Sequence, residues 1–258
     1  MATALARGCA QAGLLVGTDM LAADPHEGPR RTFAEQVPGV RVVDDNRQVL
    51  AAADLVILAV KPQVMSAVLG EIADKVDGHH LLVSIAAGVT LKKLAHDLPP
   101  QTRLIRVMPN TPCLVGMGAS CYSLGPHAMA EDARRVHQML LSVGQAFEVK
   151  EESLDAVTGL SGSGPAFVYS MIEALAAEGT AQGLPPELAD KLAVQTMRGA
   201  AEMVLTTGTP PAELRGQVTS PGGTTLAGLE AWKKQQGAAA LRAAVAAATK
   251  RSVELGQS

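Results

Sequence analysis

The sequence predicts an α/β protein whose N-terminal half is built on a mostly parallel sheet and whose C-terminal half is made only of helices. Three observations predict this. Short apolar runs alternate with helical stretches as far as Lys150, the mark of strand-helix-strand units wound around a parallel sheet. One run, Leu55-Val56-Ile57-Leu58-Ala59-Val60, is apolar without a break, as suits a strand covered on both faces. After Glu151 the strand signal stops, and Pro165, Pro185, Pro186, Pro210, Pro211 and Pro221 punctuate a succession of helices. The expected domains are therefore 1–150 and 151–258.

In chain order, a helix is expected at 1–11, where Arg7 is the single charge and the pattern is amphipathic. Strands follow at 19–23, 40–44, 55–60, 80–85, 103–108, 119–124 and 146–149, with helices at 64–76, 91–97 and 129–143 between several of them. The first strand ends at Asp24-Pro25, a turn pair, and Pro62 sets the turn from the third strand into its helix. In the helical half, apolar residues recur all around the Ala-rich helices instead of along one stripe. Two readings fit this equally: burial against a partner subunit, or a compact bundle within one monomer.

Composition narrows the function. The 258 residues are 47% hydrophobic and 18% charged, too apolar and too lightly charged for a disordered chain. Aromatics are only 2%, so the core must be small aliphatic side chains and Met. A net charge of −3 with few stacking platforms argues against nucleic acid. Cys9, Cys113 and Cys121 are odd in number and irregularly spaced, which points to free thiols in a reducing, cytoplasmic setting. No apolar run is long enough to span a membrane. The 1–17 segment, basic and without acids, faintly resembles a transit peptide, but an amphipathic core helix fits it better. No paired-Cys, H-E-x-x-H or clustered-carboxylate pattern supports metal chemistry.

Several loops carry candidate chemistry. Asp24, after a strand, suits a ribose diol and repels a 2′-phosphate, or simply forms a turn; Arg30 and Arg31 nearby soften that repulsion or are solvated. Val60-Lys61-Pro62 closes the most buried strand, where an α/β sheet opens its ligand crevice. There Lys61 either meets a phosphate or nicotinamide, or is solvated. Ala86-Ala87-Gly88 offers small residues that let a flat ligand approach the backbone. Met108-Pro109-Asn110-Thr111-Pro112 is a third rigid strand-end loop. Gly159-Leu160-Ser161-Gly162-Ser163-Gly164-Pro165 begins a helix, with Pro165 in its first turn. Ser220-Pro221-Gly222-Gly223-Thr224-Thr225 leads into another helix, as an anion-binding loop, a helix cap, or both.

The motifs around Lys61, Gly88 and Asn110, with Asp155-Ala156-Val157-Thr158-Gly159-Leu160-Ser161-Gly162-Ser163-Gly164-Pro165 and Val218-Thr219-Ser220-Pro221-Gly222-Gly223-Thr224-Thr225 in that order, closely resemble the pyrroline-5-carboxylate reductases. The resemblance runs nearly end to end. It implies a Rossmann-like domain and a helical dimerisation domain, and reduction of the cyclic imine 1-pyrroline-5-carboxylate to L-proline, the last step of proline biosynthesis, by NADH or NADPH. Asp24, Asn46, Ala59, Val60, Lys61, Pro62, Ala86, Ala87, Gly88, Asn110 and Gln217 would line the cofactor, and Asp24 tilts the preference toward NADH. Gln217 stands where some relatives carry Asn. Gly223, Thr224 and Thr225 would hold the substrate across a dimer interface, with Thr225 the catalytic candidate and Glu151 a weaker substrate contact. Assembly as a homodimer or a ring of dimers is implied. The family opens with a strand and a loop like G-F-I-G-x-G-x-M, and Met1 aligns with the Met of that pattern, so the sheet is expected to lack its first strand. Two other readings remain: a related imine or β-hydroxyacid reductase, or a non-catalytic oligomer.

Overall fold

The computed structural model describes residues 1–257. Contacts divide it into two compact units, Met1–Ser163 together with the C-terminal residues from Ala247, and Gly164–Ala246. This division differs from the expected junction at Lys150, because 151–163 and the end of the last helix pack with the sheet.

Among the described residues the first unit holds seven short strands. β1 (Leu21–Ala23) pairs in parallel with β2 (Arg41–Val43). A second ladder has the order β3 (Leu55–Leu58), β4 (Leu81–Ser84), β5 (Arg103–Met108), β6 (Gly118–Leu124), β7 (Gly144–Glu148). Only β5 and β6 run antiparallel within it. Most of these strands are shorter than expected. Gly17–Asp19 is a 3-10 turn, and residues 59 and 60 leave the ladder as the chain turns toward Pro62.

Alternation of side chains along the strands builds two cores. Leu81, Val83, Ile105 and Val107 face one side, where Leu5 and Cys9 of α1 (Ala2–Gln11) and Val136, Met139 and Leu140 of α6 (Ala130–Leu141) close over them. Val56, Leu58, Leu82 and Leu104 face the other. There they meet Leu50 of α3 (Asn46–Ala52), Leu69 of α4 (Met65–Ile72), and Leu91 and Leu94 of α5 (Leu91–His96). α2 (Glu27–Gln36) connects β1 to β2. The expected 64–76 helix is α4 flanked by 3-10 turns at Pro62–Val64 and Ala73–Lys75. Asp132, fully buried, fixes the start of α6: it accepts from the Met129 amide at 2.9 Å and from Arg103 at 2.8 Å. A short helix, α7 (Leu154–Val157), runs into a π-turn at Thr158–Gly162.

The second unit contains α8 (Gly164–Ala181), α9 (Pro186–Thr207), α10 (Pro211–Gln217), α11 (Thr224–Lys234) and the first part of α12 (Gly237–Gln257). α8 and α9 pack on each other at small residues. A Cβ on Gly179 would sit 3.4 Å from that of Ala189. The buried core of this unit is Ala176, Ala189 and Ala193 with Ile172 against them. Among the described residues, no helix is long and apolar enough to cross a membrane.

Candidate functional site

Parallel pairing of β3, β4 and β5 puts their C-terminal ends on one edge, which is where open α/β sheets bind ligands. The loops at that edge are those singled out in the sequence. After β3, Ala59 and Lys61 are exposed; the Lys61 carbonyl accepts from the Val64 amide at 3.1 Å, while its ammonium has no hydrogen-bond or ionic partner among the described residues. After β4, Ala86 and Gly88 are buried in a tight turn, with Gly88 at φ +75°. A Cβ there would also come within 3.2 Å of Leu255 Cβ, so conformation and space both require glycine.

Asp24 ends β1. Its amide donates to Val43 O at 3.1 Å, and one carboxylate oxygen accepts from the His26 amide at 2.9 Å. The turn reading and the diol reading are thus compatible, since the second oxygen has no partner among the described residues. Arg30 donates to the Asp24 carbonyl at 2.9 Å; Arg31 is exposed. Asn46 opens α3, and its side-chain amide donates to Glu71 at 2.6 Å.

Two sequence-chosen side chains are engaged with the protein itself. Asn110, buried, donates to Ser161 O at 3.1 Å and accepts from the Ala119 amide at 2.9 Å. Its side chain therefore ties the end of β5 to β6 and to the π-turn. Glu151 Oε1 accepts from the Leu91 amide at 2.7 Å and from Arg106 at 3.1 Å. That oxygen closes the first turn of α5 and neutralises a buried guanidinium, which is a positioning duty.

Arg106 was within reach of sequence reasoning. An Arg set between Ile105 and Val107 in a strand must find counter-charges. It lies beside Glu151 and 3.8 Å from Asp155, and Asp155 accepts from the buried Ser252 hydroxyl at 2.6 Å. Nothing in the pattern around Ser252 signals this.

The glycine-threonine loop belongs to the second unit. Gly222 has φ +69°, Gly223 is the N-cap of α11, and no side chain caps that helix. The first bond of the helix runs from the Ala227 amide to Gly223 O at 3.3 Å. The amides of Thr224, Thr225 and Leu226 therefore point out of its end, as in anion-binding turns. Both Thr hydroxyls are spared the capping role, and Thr225 is partly buried. Gln217, exposed, closes α10 just upstream.

These residues fit a nicotinamide dinucleotide: a carboxylate at the end of β1, small residues at β4, an unpaired ammonium after β3, and α1 with no acid in its first turn. Fold and site define a nicotinamide-dependent oxidoreductase with a helical second half. The chain belongs to the pyrroline-5-carboxylate reductase family. A family model described as pyrroline-5-carboxylate reductase dimerisation matches residues 151–255, and one described as NADP oxidoreductase coenzyme F420-dependent matches 1–88. The pyrroline-5-carboxylate reductase of Arabidopsis thaliana is 46% identical over 258 residues, covering 100% of this chain and 93% of that one. That of Methanosarcina acetivorans is 40% identical over 257 residues, covering 100% and 95%. Among solved structures, the Coxiella burnetii reductase superposes with a TM-score of 0.91 at 31% identity, covering 100% of this chain and 95% of that chain. The Plasmodium falciparum enzyme with NADP bound gives 0.88 at 32%, covering 98% and 93%.

Proposed function

We propose that the protein reduces 1-pyrroline-5-carboxylate to L-proline, and that the loop at 222–226 is its substrate clamp. The observation that carries this is the set of outward amides at the start of α11 beside two hydroxyls that cap nothing. Amides at a helix N-terminus suit a carboxylate. In this reading the Thr225 hydroxyl bonds the ring nitrogen, orienting the imine and keeping the proton acquired there in position. Bound dihydronicotinamide supplies the hydride that completes reduction of the C=N bond. Lys61 holds negative charge at the strand edge, the 86–88 backbone gives the ring a flat seat, and Asp24 takes the ribose diol. We assign a homodimer as the working form, consistent with the matched dimerisation family.

Asp24 favours NADH over NADPH, because its unengaged oxygen accepts from a 2′-hydroxyl and repels a 2′-phosphate. Steady-state assays of the purified protein with 1-pyrroline-5-carboxylate and each cofactor test both points. Asp24→Ser is expected to move the ratio of specificity constants toward NADPH by about ten- to a hundredfold, the size of one charged contact. Turnover absent with both cofactors would refute the reductase reading. An NADPH preference in the unaltered protein would refute the role of Asp24 alone.

A further inference from the structure

Leu104 and Arg106 occupy alternate positions of β5 and share its α5-side face. Leu104 is part of the apolar core there, whereas Arg106 carries a full charge while buried. Such a charge is retained only with close partners, and removing one of them is strongly destabilising. The two carboxylates it meets each lead elsewhere. Glu151 accepts the amide of Leu91, the first residue of α5, whose N-cap Thr90 accepts in turn from Lys93. Asp155 accepts from Ser252, near the end of α12. That same end lies on the loop after β4: a Cβ on Gly256 would be 3.5 Å from Gly88 O and 3.8 Å from the Thr90 methyl. Loop 86–90 is thus held at its exit by Glu151 and from above by the last turns of α12, and Arg106 is the shared counter-ion of both tethers.

We propose that Arg106 is a positioning residue that fixes the 86–90 loop, through Glu151 at one end and Asp155 with Ser252 at the other, as the seat for the nicotinamide end of the cofactor. This rests on the oxidoreductase reading above. Arg106 touches neither cofactor nor substrate in this assignment. Its two faces fit two separate carboxylates, a geometry that Lys cannot reproduce.

Hydrogen exchange on the full chain tests the tethering without any cofactor. Ser252→Ala and Arg106→Met are expected to speed exchange of the 86–91 amides, Leu91 above all, by about tenfold, while the β4 amides keep their protection. Arg106→Lys should fall between. NADH titration followed by fluorescence then reads the consequence: the Kd should rise about three- to tenfold in the same order of variants, since a looser seat must be ordered on binding. If Arg106→Met does not fold, Ser252→Ala and Arg106→Lys carry the comparison. Unchanged exchange at 86–91 in the folded variants would overturn the proposal, and so would faster exchange with a wild-type Kd for NADH. A wild-type protein that binds neither NADH nor NADPH would instead refute the oxidoreductase reading, and the exchange arm would still judge the tethers.

Discussion

Thr225 separates a substrate role from a capping role more cleanly than any other residue. The N-cap of α11 is Gly223 and no side chain bonds the helix end, so removing the Thr225 hydroxyl breaks no cap. Thr225→Ala is therefore expected to leave the melting temperature nearly unchanged while lowering the specificity constant for 1-pyrroline-5-carboxylate about ten- to a hundredfold, the loss of one hydrogen bond of about 1 to 3 kcal/mol. Thr225→Ser should keep most of the activity. Kinetics and thermal melts on both variants check this, and an Ala variant with wild-type kinetics would take Thr225 out of the site. At this scale the sequence was legible where chemistry depends on the backbone: Gly88 and Gly222 are glycine because their φ angles are positive. It was opaque where a side chain answers a distant partner. Asn110 and Glu151 are drawn into bonds with Ser161 and Leu91, 51 and 60 positions away in the chain, and no local pattern encodes such pairings.

Among the elements, β5 matches its expected limits of Arg103–Met108, since every residue from Leu104 to Val107 is buried and Leu104, Ile105 and Val107 give it its apolar character. β1 and β3 lose residues at their ends because strand limits depend on ladder partners, which a single run of sequence does not contain. Helix α1 shows what element packing does to chemistry. It lies on the sheet beside α6, with Cys9 buried and accepting from the Ser142 hydroxyl at 3.9 Å. Burial pushes the Cys9 thiol up from its ordinary value, and the Ser142 hydrogen bond lowers it only in part. A raised thiol value stabilises the fold fully below the unfolded value of about 8.5, and that contribution is lost as pH rises through the folded value. Native Cys9 is therefore expected to resist iodoacetamide at pH 8, reacting at least about tenfold more slowly than in urea-unfolded protein, because only an exposed thiolate attacks. Site-resolved mass spectrometry of the alkylated protein reads this. Equal rates in the native and unfolded protein would show that α1 does not hold Cys9 away from water.

For the whole molecule, the question is what stabilises a helical unit whose buried core is three alanines and a partly buried isoleucine. Burying small side chains supplies little transfer free energy at about 25 cal/mol per Å², and ordering each residue costs about 1 to 2 kcal/mol. Meanwhile Leu188 and Leu192, one turn apart on α9, are 43% and 48% exposed, and Leu205 is 76% exposed. Of the two readings the Ala-rich helices allowed, burial against a second copy accounts for this surface and the compact monomer does not. The expected outcome is a dimer at micromolar concentration, with a melting temperature that rises with protein concentration because association is coupled to folding. Leu192→Asp places a charge on that face in both copies. Losing two buried leucines at about 1.5 to 3 kcal/mol each should weaken dimerisation by about two to four orders of magnitude. The test uses the full chain, since the residues from Ala247 onward pack with the sheet unit and a cut at Glu151 would divide that unit. Analytical ultracentrifugation across a concentration series measures the shift. A wild-type protein that stays monomeric at 100 micromolar, or a Leu192→Asp variant that dimerises like wild type, would show that the apolar face of α9 serves another purpose.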